Sequence, residues 1–394
     1  MGAIEILTWL SLLLLLGIVL TYLSNRLKIP NVLVLIIAGI VISLIRYKGE
    51  KIVAFSNEFL TAVAIIALIM IVFDSTSRLN IKSLKQATTP ALKVTIFFII
   101  LELIVITVST KIIFNISWFI AVLFSTIVVG TDPSSVIAIL KNLKHRAITF
   151  LEIESIINTP LTVILPFVVI EMSKTFNINT LLPQFVEQVS PLLQQIITGV
   201  GAGMVVGLIV FKAMEKQYSE ILSPVTLISS ALLTYILAET LGGNGVLAVT
   251  TLGIFFGNIY LKKKRILMTF GSLFSNLFEI LVFLFLGLSI VPPTQYDFYL
   301  KAFFLFIIYI GLRTVVVLFS FPKKTYAIRE KLFIALNTPK GVAVAVVAFT
   351  LLSLGIAVNP VIDLALLFIL YSVILSTFTT RMSKYFLGVK QEIK

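Results

Sequence analysis

A carboxylate and a helix breaker, Asp132 and Pro133, stand side by side in "VLFSTIVVGTDPSSVIAIL" (122–140), a run otherwise apolar enough to cross a membrane. A second run, "IALNTPKGVAVAVV" (334–347), is interrupted in the same way by Pro339 and Lys340. A proline removes a backbone hydrogen bond and exposes a carbonyl. A charge in hydrocarbon is costly unless it faces a cavity or a partner. The pairing therefore reads as charge compensation at broken helix ends: Asp132 offsets positive N-terminal ends and Lys340 offsets negative C-terminal ends. Oxygen ligands gathered at such a place suit a hard monovalent cation.

Other polar residues inside apolar runs fall at similar depth. Measured from the basic end of each run at roughly 1.5 Å per residue, Asp74 lies roughly 5 Å in, Glu154 and Arg313 roughly 10 Å, and Asp132 and Lys340 roughly 12 Å. Three acids and two bases in one layer predict a mutually neutralising cluster around a polar cavity. In "FLEIESIINTPLTVILPFVV" (150–169) Glu154 and Asn158 are four apart and share a helix face, flanked by Ser155 and Thr159. Pro160 is placed to loosen that helix, and Glu152 reads as an entrance or surface residue. Glu102 and Glu279 are further acids within apolar runs. Without a motif around them they suit helix packing or a subunit contact as well as function.

The elements that must position these groups follow from composition. Over 394 residues, 59% are hydrophobic and only 12% charged, against about a quarter charged in soluble domains. An all-α polytopic membrane protein is expected, with thirteen spans at about 4–23, 30–45, 58–77, 94–110, 118–140, 147–170, 191–211, 221–240, 244–261, 268–291, 298–320, 332–354 and 361–380. The net charge of +13 is topological and not a nucleic-acid footprint, because most of the cations fall in connections after odd-numbered spans. The positive-inside rule then puts the C-terminus in the cytoplasm and the N-terminus outside, in a cell membrane. No cysteine is present, and the single histidine, His145, reads as a solvated loop residue. Glu5 and the lack of a basic leader keep the first run as a span. The interval 172–190 reads as a surface connector or a short amphipathic helix. Gly201, Gly203 and Gly207 predict close helix packing, within the chain or across a dimer.

The interrupted spans, five and twelve, are an odd number apart, so matching halves would cross in opposite directions. Inverted-topology transporters place discontinuous helices in this way, with the substrate site where they meet. A single transport domain over 1–394 is expected, with spans 1–6 and 8–13 as the repeats. Its core would include 118–170 and 298–380, with scaffold or dimer helices among 1–45 and 191–261.

"GTDPSSV" followed by "LEIESIINTP" resembles the monovalent cation:proton antiporter superfamily, specifically NhaP-type sodium/proton antiporters. Nearly the whole chain takes part, including "LKIPNVLVLIIAGIVI", "ETLGGNGVLAVTTLGIFFGN", "LVFLFLGL", the arginine of span eleven and the Pro-Lys-Gly of span twelve. The resemblance implies an ion site where the broken helices cross, with Thr131 and Asp132 from one side and Ser155 and Asn158 from span six. It implies that Glu154 pairs with Arg313, and that Asp74 lies near the ion. It also implies a homodimer and exchange of Na+, or another monovalent cation, for H+, with no cofactor. Burial disfavours the charged form of a carboxylate, so proton and cation would compete for the oxygens of Asp132. One departure stands out: the family's usual ion-binding aspartate after the asparagine is Thr159 here, and a hydroxyl does not exchange protons near neutral pH. Either Asp132 and Asp74 carry the titration, or the chain is an ion sensor or a cation channel on the same scaffold. Asn158 stands where electrogenic relatives carry a second carboxylate, which points to one-for-one exchange. With one histidine, no His-Glu-x-x-His and no Gly-x-Ser-x-Gly, hydrolase chemistry has no basis.

Overall fold

The computed structural model describes residues 2–27, 29–47, 50–79, 89–132, 136, 140, 145–175, 185–261, 263–290, 293–321, 326–355 and 360–388. Pro133 and the middle of the 172–190 connector lie outside the described residues. The order begins α1 (Ala3–Leu27), α2 (Asn31–Leu44), a ribbon of two-residue strands β1 (Arg46–Tyr47) and β2 (Glu50–Lys51), α3 (Asn57–Ser77), α4 (Thr89–Phe114), α5 (Trp118–Ile127) and α6 (Arg146–Thr175). It continues with α7 (Phe185–Lys216), α8 (Leu222–Thr240), α9 (Gly245–Asn258), α10 (Lys264–Ser289) and α11 (Tyr296–Ser320). The last helices are α12 (Ile328–Leu336), α13 (Val342–Ser353), α14 (Val361–Arg381) and α15 (Ser383–Leu387). Among the described residues eight helices are long and apolar enough to cross a membrane, and five shorter apolar helices accompany them. The fold is therefore helical as expected. The expected twelfth span resolves into α12 and α13 with an irregular link between them.

Local chemistry sets several of these ends. Ser117 caps α5 by accepting from Ile120 N at 3.3 Å, and Asn244 caps α9 by accepting from Leu247 N at 2.9 Å, so each satisfies a donor that the first turn leaves open. α12 stops at Leu336 because Pro339 has no N–H to continue the ladder and biases Thr338 away from helical geometry. Asn337 donates both its backbone N–H and its side-chain amide to Phe333 O, at 3.1 and 2.9 Å, and so closes the last turn.

The chain divides into two units. The first comprises Met1–Thr61, Ala87–Thr162 and Ile280–Lys394 and holds both interruptions. Its interior is aromatic: Phe124 and Phe306 both set their rings against Phe368, at 5.1 and 5.5 Å, and Phe98 meets Tyr309 edge-on at 6.0 Å. Lipid tails are as apolar as these rings, so in a membrane such a cluster is held by close packing and not by exclusion of water.

The second unit comprises Ala62–Gln86 and Val163–Glu279. Here α7 and α9 pack face to face. A Cβ on Gly203 would lie 2.8 Å from the Cβ of Thr251, and one on Gly207 would lie 2.9 Å from the Phe255 ring. Those two glycines thus serve packing inside the chain. Gly201 has no atom within 4 Å of its Cβ position and takes no part in that contact.

Candidate functional site: the meeting of two helix interruptions

The two interruptions bond directly to each other within the first unit. Asp132 N donates to Pro339 O at 2.7 Å, a carbonyl left open in the irregular link between α12 and α13. Val342 N, the first residue of α13, donates to Asp132 Oδ2 at 3.3 Å. The carboxylate thus sits at the positive end of that half-helix, where an acceptor is electrostatically favoured. Lys340 does the reverse: its ammonium donates to Val128 O, the C-cap carbonyl of α5. A side chain at position 341 would collide with the Asp132 carboxylate, so the close approach requires the glycine that stands there.

α6 closes a second side of the site. Asn158 Nδ2 donates to Thr131 Oγ1 at 2.8 Å, and both residues are buried. Gly130 lets α6 approach this closely, since a Cβ there would lie 2.8 Å from the Cβ of Thr162. Asn158 Oδ1 is buried and has no hydrogen-bond partner among the described residues, so an oxygen acceptor is held dry beside Thr131. Thr159 Oγ1 donates to the Ser155 carbonyl at 2.7 Å, so its one proton is spent within its own helix. Ser155 and Thr159 are partly exposed, and Glu152 is exposed.

Of the expected cluster of five charges, Glu154, Arg313 and Lys340 come together with a further acid, Glu102, while Asp132 and Asp74 make contacts of their own, because shared depth does not imply a shared azimuth. Arg313 Nη2 donates to Glu154 Oε2, both side chains fully buried, and the guanidinium lies 4.4 Å from the Phe98 ring centroid. Lys340 finds a different acid, Glu102 of α4, with Nζ 3.5 Å from Oε1 and the Tyr309 ring centroid 4.2 Å away. Asp74 belongs to the second unit. There Arg78 donates to its Oδ2 at 3.1 Å and Ser272 donates to its Oδ1 at 2.7 Å.

A hydroxyl ladder on α14 escaped the sequence reading. Ser372 Oγ accepts from Lys340 N at 2.8 Å, while Ser376 and Thr380 both donate to Asn337 Oδ1 at 3.0 Å. Their spacing of four puts them on one helix face, which was a usable signal. Their partners, which lie in an irregular link, were not visible.

His145 also differs from expectation. It is not a solvated loop residue: its side chain is 15% exposed, and Nε2 lies 3.3 Å from Glu330 Oε1. Arg146 grips the same carboxylate through Nε at 2.9 Å and Nη2 at 2.6 Å. Glu330 in turn accepts from Ala327 N at 2.6 Å and so caps α12. An acid needed at a helix N-terminus drew in the neighbouring cations.

Fold and site together define a polytopic helical membrane protein whose core is two interrupted helices bonded at their breaks. Residues 11–383 match the family described as sodium/hydrogen exchanger, transmembrane, and the chain belongs to that family. Among relatives, it is 27% identical over 328 residues to the K(+)/H(+) antiporter NhaP2 of Shewanella sp. strain ANA-3, a match covering 81% of this chain and 56% of that protein. It is 25% identical over 365 residues to the Na(+)/H(+) antiporter 1 of Methanocaldococcus jannaschii, covering 87% and 82%. The chain thus spans little more than half the length of the NhaP2 relatives. The solved structure of the sodium proton antiporter MjNhaP1 from M. jannaschii at pH 8 superposes with a TM-score of 0.78 at 20% identity, covering 96% of this chain and all of that one. At that identity the likeness bears on the fold.

Proposed function

We propose that the protein exchanges Na+ or K+ for H+ across a cell membrane by alternating access at Asp132. The observation that carries this reading is the position of that carboxylate: it is bound through its own N–H to the carbonyl of one interruption and through Oδ2 to the first amide of the helix beyond it. Any movement that separates the two breaks therefore alters the site itself. Thr131 and Asn158 supply neutral oxygens beside it, among them the buried unpartnered Oδ1, and such ligands suit an alkali cation. With Thr159 bonded to its own helix, Asp132 is the carboxylate at the break among the described residues, and one charge, brought by a cation or by a proton taken up in the same unit, balances it. If the protein reorients only when neutralised, one-for-one exchange follows without a separate coupling device.

The remaining features fit this reading. Spans 1–6 and 8–13 are taken as inverted repeats, since the interruptions bond to each other across that division. The cation distribution supports a cytoplasmic C-terminus. Asp74, hydrogen-bonded by Ser272, is kept as a candidate cation-attracting carboxylate, and a second copy of the chain as the partner in the membrane.

The test is flux in reconstituted vesicles with an imposed pH gradient, run with each alkali cation. Asp132→Asn keeps the side chain's shape and removes its charge, and is expected to abolish cation-dependent proton movement while leaving the protein folded. Flux at the wild-type rate in that variant would exclude Asp132 as the carrier. A wild-type protein silent with every cation and at every pH would sink the exchange reading in favour of an ion sensor.

A further inference from the structure

Glu102 is the buried acid for which the exchange reading has no use. It lies in the middle of α4, fully buried, with Oε1 3.5 Å from Lys340 Nζ and Oε2 without a hydrogen-bond partner among the described residues. Glu154 likewise has one engaged and one open oxygen, but its partner Arg313 is committed to it, whereas the partner of Glu102 is shared with the carbonyl of Val128. The groups facing it are Lys340 of the interruption, Arg313 and Tyr309 of α11, and Glu154 of α6. Arg313 is already engaged by Glu154. Lys340 alone is divided, between Glu102 and the carbonyl of Val128.

Lys340 is also the residue through which Glu102 reaches the cation site. Its neighbour Pro339 accepts from Asp132 N, and Val342, two residues on, donates to Asp132 Oδ2. Its own N–H is pinned to Ser372 Oγ at 2.8 Å. The charge state of the Glu102–Lys340 pair therefore acts on the segment that holds Asp132 by its N–H, at Pro339, and by its carboxylate, at Val342. Position 159 is a threonine bonded to its own helix, and an acid of the same unit stands behind the lysine.

We propose that Glu102 is a proton-binding site, and that it is the group whose proton is exchanged for the cation held at Asp132. This rests on the exchange reading above and locates its proton. In the proton-loaded form Glu102 carries the proton on Oε2 and is neutral, and the Lys340 ammonium balances the Asp132 carboxylate. In the cation-loaded form the alkali cation balances Asp132, Glu102 is ionised and Lys340 balances Glu102. One cation enters as one proton leaves, no covalent bond other than O–H changes, and the charge of the three residues with their ligand is the same in both forms. Exchange on this scheme is electroneutral and needs no titrating group at position 159.

The experiment measures cation binding to the purified full-length chain by calorimetry across pH, using whichever of Na+ and K+ drives flux in vesicles. Linkage to one proton lowers the apparent affinity of the wild-type protein about tenfold for each pH unit on the acid side. Glu102→Gln, which keeps the shape and cannot ionise, is expected to bind the cation with an affinity independent of pH and to carry no coupled proton flux. Glu102→Asp is expected to restore the slope, which a merely structural residue would not do. Should Glu102→Gln fail to fold, Glu102→Met, which also cannot ionise and keeps Lys340 to balance Asp132, is expected to give the same flat profile. A wild-type slope in either variant would overturn the proposal, place the proton on Asp132 and leave the exchange reading intact. A wild-type protein with neither slope nor flux would remove both readings together.

Discussion

Two acid-base pairs are buried in the same unit, and they are built differently. Glu154 and Arg313 meet in a direct charged hydrogen bond, with the guanidinium laid over Phe98. Glu102 and Lys340 stand 3.5 Å apart, with the ammonium shared between the acid, a backbone carbonyl and the face of Tyr309. Arginine stays charged, and Arg313 spends its hydrogen bond, through Nη2, on Glu154, whereas lysine is a point charge that adapts to several acceptors. The first pair is therefore built to hold α6 against α11 in one state. The second can lose one of its contacts and keep the others, which suits a link that must change.

Breaking each pair tests that difference, and the largest effect belongs to the first. Arg313→Ala strands Glu154 as a buried, unpaired charge and is expected to cost about 3–5 kcal/mol, read as a sharp fall in thermal unfolding temperature in detergent. Glu154→Gln together with Arg313→Gln should recover part of that loss. A double variant as unstable as the sum of the singles would show that they are not partners. By contrast Glu102→Gln leaves Lys340 its carbonyl and its aromatic face, and should cost only about 1.5–3 kcal/mol, the range for a hydrogen bond to a charged group. Equal losses at the two sites would erase the distinction drawn above.

The ladder on α14 sharpens the comparison at intermediate size. Ser376→Ala or Thr380→Ala alone leaves Asn337 Oδ1 one donor and should cost about 0.5–1.5 kcal/mol. Removing both strands a buried acceptor, so the pair of changes should cost more than the sum of the singles, in a double-mutant cycle read by thermal unfolding. Simple additivity would mean that the link is held elsewhere.

The smallest effect lies outside the spans, at Glu330. Burial disfavours its charge, but the hydrogen bonds from Arg146 and from Ala327 N–H outweigh that and hold the carboxyl below its ordinary value of 4.5. Its stabilisation is therefore complete above that value and is lost as pH falls through the lowered one. Burial pushes His145 below 6.5 against the pull of Glu330, so the folded state binds fewer protons there and weakens as pH falls below 6.5. Arg146 is half exposed, so Glu330→Gln should cost about 0.2–1 kcal/mol at neutral pH and remove the acid step below 4.5. An unfolding profile that keeps that step would assign it to another carboxylate.

Much of this was legible in the amino-acid sequence, for identifiable reasons. Composition and run length determine a helical membrane protein, because backbone polar groups in hydrocarbon must be satisfied within each segment. Prolines beside charges mark the two interruptions, because a missing donor and a buried charge are local facts. The asparagine of α6, four residues after Glu154, is placed by helical periodicity alone. What periodicity leaves open is azimuth, meaning which side of each helix faces which neighbour. The tertiary structure decided that Lys340 turns to Glu102 and not to an acid of the expected layer, and that Asp74 is engaged by Ser272 and Arg78. It also decided that His145 is drawn under Glu330, and that three hydroxyls of α14 hold the broken link. Those outcomes depend on contacts between residues as many as 238 positions apart, and no local pattern encodes the rotation of one helix against another.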